Sequence, residues 1–181
     1  NTNNHWKGNK VAVLVHGINA KSAGMMALAR HLSETGAYDT IVAVDYNMGY
    51  KIDDLGRKLA DTVRTNLQED AKVHFFSHSM GGLVTRSAIE NHGLEDKTDL
   101  MISMGSPHNG TRSAFLISDF LPISFPEVED LSPESDFIKS LNDGNPVSCR
   151  YYSAIGTEHK YPSTYWTVKY LGESKVSQLL G

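Results

Sequence analysis

One stretch limits the possible folds of this chain more than any other: Val73-His74-Phe75-Phe76-Ser77-His78-Ser79-Met80-Gly81-Gly82, followed directly by Leu83-Val84-Thr85-Arg86-Ser87-Ala88-Ile89. A short apolar run ends in a serine among small residues, and a helix-compatible segment begins at once. This is the strand, sharp turn and helix of a nucleophile elbow, in which the turn lifts a serine hydroxyl above the sheet edge. Small neighbours are required because the strand and helix backbones pass close to each other there. The usual string is Gly-x-Ser-x-Gly; here Ser77 takes the place of the first glycine and Gly81 holds the second. Serine is small enough to fit, so Ser79 is the candidate nucleophile.

Two further stretches have the same grammar. Val11-Ala12-Val13-Leu14-Val15 reads as a buried strand and ends in His16-Gly17-Ile18-Asn19. Leu100-Met101-Ile102-Ser103-Met104 is another and ends in Gly105-Ser106-Pro107-His108-Asn109-Gly110-Thr111. In this order, the three stretches resemble the α/β-hydrolase superfamily, and within it the bacterial lipases and esterases (triacylglycerol lipase-like) with a His-Gly oxyanion loop. The resemblance is good over residues 10–112 and thin beyond. It implies a compact α/β-hydrolase fold, with a mostly parallel central sheet and helices on both faces. It also implies an oxyanion hole made by the backbone N–H of Ile18, after His16-Gly17, together with that of Met80, the residue after the nucleophile.

The rest of the pattern agrees with alternating strands and helices. Met25–Leu32 is helical in pattern, with Gly36 placed to cap it, and Ile41–Tyr46 reads as a second strand. Ile52, Leu55, Leu59, Val63 and Leu67 fall on one face of a helix over 51–70, with Asp53, Asp54, Arg57, Lys58 and Asp61 largely off it. The elbow helix is expected to run to about His92. Later strands are expected over 147–155 and from Tyr165 to Leu171, with a helical tail from Ser174 to Leu180. Continuous apolar strands separated by helices indicate a parallel sheet covered on both sides.

Residues 112–147 interrupt this rhythm. Phe115, Leu116, Ile117, Phe120, Leu121, Ile123 and Phe125 crowd together with two prolines, and a polar, acidic stretch follows from Glu127 to Asp143. Two readings stay open here: a lid or acyl-binding wall with contact to a lipid interface through 115–125, or ordinary packing against the sheet.

Composition excludes several classes. With 181 residues the chain is read as one domain, and its net charge of −4 gives no reason to expect nucleic acid as a partner. No apolar run is long enough for a transmembrane segment. The one cysteine, Cys149, excludes an internal disulfide and reads as a buried thiol. No Cys or His cluster suggests a metal, and acyl transfer from an ester needs no cofactor. The chain starts at Asn1 without a methionine or signal peptide, so it reads as a processed or trimmed product; a secreted or periplasmic address is compatible with it.

The rest of a triad is harder to read. In this fold the order is Ser, then Asp or Glu, then His. His16 precedes the nucleophile and is expected to orient its loop. His78 reads as a packed or surface residue of the elbow, and His108 as structural. His92 stands at the far end of the elbow helix. Glu158 and His159 occupy an acid-like and a base-like place but are adjacent, which makes a mutual hydrogen-bonded pair difficult. Three readings stay open: partners beyond Gly181, which is favoured; His159 as an unusual base; or an incomplete triad in a non-catalytic hydrolase-fold binding protein. The leading expectation is a serine carboxylester hydrolase acting on a small-molecule or lipid ester. Thioesterases, amidases and acyltransferases use the same elbow, so these motifs leave the scissile bond open.

Overall fold

The structure, a computed structural model, describes residues 6–112, 126–144, 147–156 and 166–171, with Gly156 and 166–171 described by their backbone. Six strands form one sheet: β1 (Lys10–Val15), β2 (Thr40–Val44), β3 (Lys72–His78), β4 (Thr98–Met104), β5 (Arg150–Gly156) and β6 (Trp166–Leu171). Their spatial order is β2-β1-β3-β4-β5-β6. The first five are parallel and β6 runs antiparallel to β5. Only nine residues, 157–165, join β5 to β6. A parallel return needs a crossover of about a dozen residues or more, so this link is too short for one.

The alternation along β1 divides the core. Val11, Val13 and Val15 point to one face and Ala12 and Leu14 to the other. On the first face lie α2 (Ile52–Asn66) and α3 (Met80–Glu90). Helix α2 buries Ile52, Leu55, Leu59 and Val63 on its inward stripe, and Leu67 follows at its end. It crosses α3 closely because Gly56 lacks a side chain: a Cβ there would stand 2.3 Å from Ser87 Oγ. On the second face α1 (Met26–Thr35) covers Ala12, Leu14 and Phe76 with Leu32. Gly36 ends α1 in the left-handed conformation at φ 65°, the expected glycine cap. The expected elements that fall among the described residues therefore form, with their ends moved by a few residues.

Within the interruption, the described part folds into two short helices, α4 (Pro126–Asp130) and α5 (Asp136–Leu141). Leu131, Ile138 and Leu141 are buried in the α2/α3 core. Residues 113–125, including the crowded apolar run, lie outside the described residues, as do Glu158, His159 and the tail after Leu171. Among the described residues no helix is long and apolar enough to cross a membrane.

Candidate active site

Parallel strands all end on the same edge, and the three loops singled out in the sequence leave from that edge beside one another. Ser79 stands between β3 and α3 with φ 53° and ψ −129°. A non-glycine residue rarely adopts such a conformation, which costs about 1–3 kcal/mol and needs the surroundings to hold it. Among the described residues only Asn19 (φ 50°) shares a positive φ without being glycine, and it lies in the His-Gly loop.

Several contacts hold the elbow. The Ser79 N–H donates to the Met104 carbonyl of β4 at 2.9 Å, and the Gly82 N–H to the Ser79 carbonyl at 3.0 Å. A Cβ on Gly81 would lie 2.3 Å from the His16 carbonyl oxygen, and one on Gly82 would lie 2.1 Å from Ser106 Oγ. Both glycines are thus demanded by neighbouring loops. Ser77 replaces the first glycine of the pattern without strain on polarity. Thr85 donates to the Gly81 carbonyl at 2.9 Å, so the fully buried Ser77 hydroxyl is the donor in its 2.7 Å bond to Thr85.

The His16–Asn19 loop packs directly on the elbow. A Cβ on Gly17 would lie 2.9 Å from Ser79 Cβ, which places the two backbones at the limit of approach. His16 is buried, and its Nδ1 lies 2.8 Å from the Gly17 carbonyl. A carbonyl only accepts, so Nδ1 carries the proton and donates. The His16 ring stacks on Tyr46, centroids 4.1 Å apart and planes 10° from parallel, and the Tyr46 hydroxyl donates to the His16 carbonyl at 2.5 Å. The Ile18 side chain is half-buried against the deep core. Met80 is the first residue of α3, so its N–H has no partner within the helix. A helix N-terminus also favours an anion. The two sequence-predicted N–H groups therefore belong to the loop touching Ser79 and to the residue after it.

The histidines separate by environment. His108 is buried, with Nε2 2.8 Å from Ser103 Oγ. Burial, helped by the Arg86 charge, pushes its pKa down to about 3. It is therefore neutral at pH 7 and built into the third loop, which matches the structural reading. His92 lies 3.0 Å from the Asp53 carbonyl, beyond the end of α3 opposite Ser79. His78 is exposed, and partial desolvation moves its pKa down. Cys149 is buried and its thiol is pushed up to about 12, chiefly by burial, which makes it a poor thiolate. Among the described residues no group of three or more His, Cys, Asp or Glu side chains could hold a metal ion.

Two contributions were not visible in the sequence. The first is Tyr46, whose place beside His16 depends on the β1–β2 register, Val15 opposite Val44. The second is a buried polar cluster under the third loop. Arg86, 3% exposed, donates from Nε to Glu90 Oε1 at 2.7 Å and from Nη2 to Glu90 Oε2 at 3.1 Å. It also donates to Asn142 Oδ1 at 3.1 Å and to the Leu141 carbonyl. Asn142 in turn donates to the His108 carbonyl at 2.9 Å, and Tyr151 to Glu90 at 3.0 Å. No spacing rule links these positions. A cleft of about 640 Å³, lined by Val44, Tyr46, Leu55, Leu59 and Val84 among others, runs between β2 and α2; Ser79 does not line it.

The five parallel strands, the flanking helices and the strained serine turn define an α/β-hydrolase. The sequence model of the palmitoyl protein thioesterase family matches residues 11–175, and the chain belongs to that family. Solved structures agree in fold. The mature lipase BlEst2 of Bacillus licheniformis is similar at 24% identity and TM-score 0.66, over 88% of this chain and 71% of that one. Its propeptide form aligns at 26% identity and TM-score 0.60, over 77% of this chain and 33% of that one. A metagenomic carboxyl esterase aligns at 19% identity and TM-score 0.61, over 82% and 50%. No curated protein sequence matches the chain.

Proposed function

We propose that this protein is a serine hydrolase that cleaves acyl esters or thioesters through an acyl-enzyme on Ser79. The observation that carries the reading is the Ser79 backbone, held at φ 53° between β3 and α3 with Gly17 against it. In the proposed cycle Ser79 Oγ attacks the substrate carbonyl carbon and passes its proton to a general base. The carbonyl oxygen becomes an oxyanion that accepts N–H bonds from Ile18 and Met80. Each such donor typically contributes about 3 kcal/mol at the transition state. The alcohol or thiol then leaves with the proton, and water hydrolyses the acyl-serine. His108 is unsuited as base because burial and the Arg86 charge lower its pKa to about 3, which leaves it too weakly basic to take the serine proton. Glu158 and His159 remain the candidates within the chain for acid and base, beside partners beyond Gly181.

The membership in a thioesterase family and the lipase and esterase neighbours support an acyl substrate and leave ester and thioester equal. The apolar residues from Phe115 to Phe125 are the proposed acyl wall. Labelling with a fluorophosphonate tests the reading, since this reagent requires an activated serine. The expected result is one adduct, located on Ser79 by mass spectrometry and lost in Ser79→Ala. Matched p-nitrophenyl ester and acyl thioester substrates of increasing chain length then rank the scissile bond and the chain. No adduct on Ser79 overturns the mechanism and favours a hydrolase-fold binding protein.

A further inference from the structure

We propose that Tyr46 is the positioning residue of the oxyanion loop: its ring and hydroxyl together hold His16 and Gly17 at the distance from Ser79 that puts the Ile18 N–H in place. The inference rests on the acyl-transfer reading for its catalytic consequence, but the structural half stands on contacts alone. The loop's own backbone restraint is a turn in which the Ala20 N–H donates to the Gly17 carbonyl at 3.3 Å. The loop leaves β1 after Val15, passes through Gly17 and turns at Asn19 with φ 50°. The His16 carbonyl is the hinge of that path. Tyr46 donates to it at 2.5 Å, and the missing Cβ of Gly81 lets the same carbonyl approach the elbow helix.

The histidine ring is held as well. It lies flat on the Tyr46 ring at 4.1 Å, while its Nδ1–H donates to the Gly17 carbonyl at 2.8 Å. That bond, together with the one from the Ala20 N–H to the same carbonyl, orients the peptide unit between Gly17 and Ile18, whose N–H end is the proposed oxyanion donor. A planar peptide fixes its N–H opposite its carbonyl. A carbonyl drawn toward the buried His16 ring therefore turns the Ile18 N–H the other way. Tyr46 itself is suited to a fixed donor. It stands two residues after the end of β2, and burial together with the Glu127 carboxylate keeps its hydroxyl protonated far above neutral pH. A donor at this point acts on the transition state through geometry, since a displacement of about 1 Å in a reacting group costs up to a hundredfold in rate.

The test compares Tyr46→Phe, which keeps the stacked ring and removes only the hydroxyl, with Tyr46→Leu, which removes both. Three readouts are taken on the intact protein: amide hydrogen exchange at Ala20, whose N–H donates to the Gly17 carbonyl, the rate of Ser79 phosphonylation, and the split between kcat and KM on a short p-nitrophenyl ester. The expected result for Tyr46→Phe is a rise of about tenfold in Ala20 exchange and a fall of about tenfold in phosphonylation and kcat, the equivalent of about 1.4 kcal/mol. KM stays within about twofold, as a loss specific to the transition state requires. Tyr46→Leu falls further in both rates. A purely structural tyrosine predicts a lower Tm with unchanged kcat in the folded fraction, which would overturn the proposal, as would unchanged exchange at Ala20 in Tyr46→Phe. A wild-type protein that is not labelled at Ser79, while Ala20 exchange still rises in Tyr46→Phe, supports the loop-holding role and overturns the acyl-transfer reading instead.

Discussion

Phe75 and Phe76 are neighbours in β3, yet they serve different halves of the molecule. Phe75 points to the α2/α3 face and is fully buried; Phe76 points to the α1 face and keeps 7% of its surface. Among the described residues the α2/α3 face assembles 24 buried residues into one cluster, whereas the α1 face assembles five. The elbow helix, the helix it crosses and the buried Arg86–Glu90 pair all belong to the deep side. The strained turn at Ser79 is thus tied to the better-packed half. Strain of this kind persists only where many contacts over-determine the backbone. The shallow half carries α1 and the edge strand β2, whose residues are all half-buried.

The sharpest test of this asymmetry uses the two phenylalanines. Phe75→Ala is expected to cost about 4 kcal/mol, within the usual range for a large core truncation. Phe76→Ala is expected to cost about half of that, because a thinner layer can collapse into the space. Urea unfolding of both variants gives the two values, and equal losses would break the comparison. Next in size is Gly81→Val, where the added carbon would meet the His16 carbonyl of the deep side. A loss of about 3 kcal/mol is expected, from overpacking and added backbone strain, with loss of fluorophosphonate labelling. A stable, labelled variant would show that the elbow tolerates separation from the His-Gly loop.

The deep side also carries an acid-sensitive group. His108 titrates near 6.5 when unfolded and at about 3 when folded. The unfolded chain therefore binds the proton first as pH falls. Stability from this group is complete above pH 6.5 and is lost progressively toward pH 3. Between pH 7 and pH 5 the loss is about 2 kcal/mol. Chemical denaturation at both pH values, on the wild type and on His108→Gln, measures it; an equal loss in the variant would assign the acid sensitivity elsewhere. The smallest expected effect concerns Ser79. Glycine adopts positive φ freely while alanine does not. Ser79→Gly should therefore be more stable than Ser79→Ala by about 1 kcal/mol, the reverse of the usual order. Thermal unfolding of the pair decides, and the usual order would remove the strain argument.

Much of this architecture could be read in advance because it rests on local rules. The strand at 11–15 and the helix face Ile52, Leu55, Leu59, Val63 each follow a short periodicity that survives in the fold. Gly36 caps α1 for the same local reason. The elbow was legible because steric demands within a few residues select serine and glycine there. Helix α2 shows the limit. Its preceding residue, Lys51, offers no side-chain cap, and the N–H of Ile52 is instead taken by Asp130 Oδ2 at 2.7 Å, from 78 residues away. Nothing in the spacing announces that pairing.

The sequence alone determined the parallel hydrolase sheet and the place of Ser79 in the turn between β3 and α3. These follow from residue size, period and order along the chain. Tertiary structure decided that His108 is buried and neutral, how Ser77 satisfies its hydroxyl on Thr85, and that Tyr46 grips the loop beside the serine. It also decided the direction of β6, through a link too short for a crossover. The physical reason is range: sterics and periodicity act between near neighbours in the chain. Burial, hydrogen-bond partners and register depend on segments that meet only once the sheet has assembled.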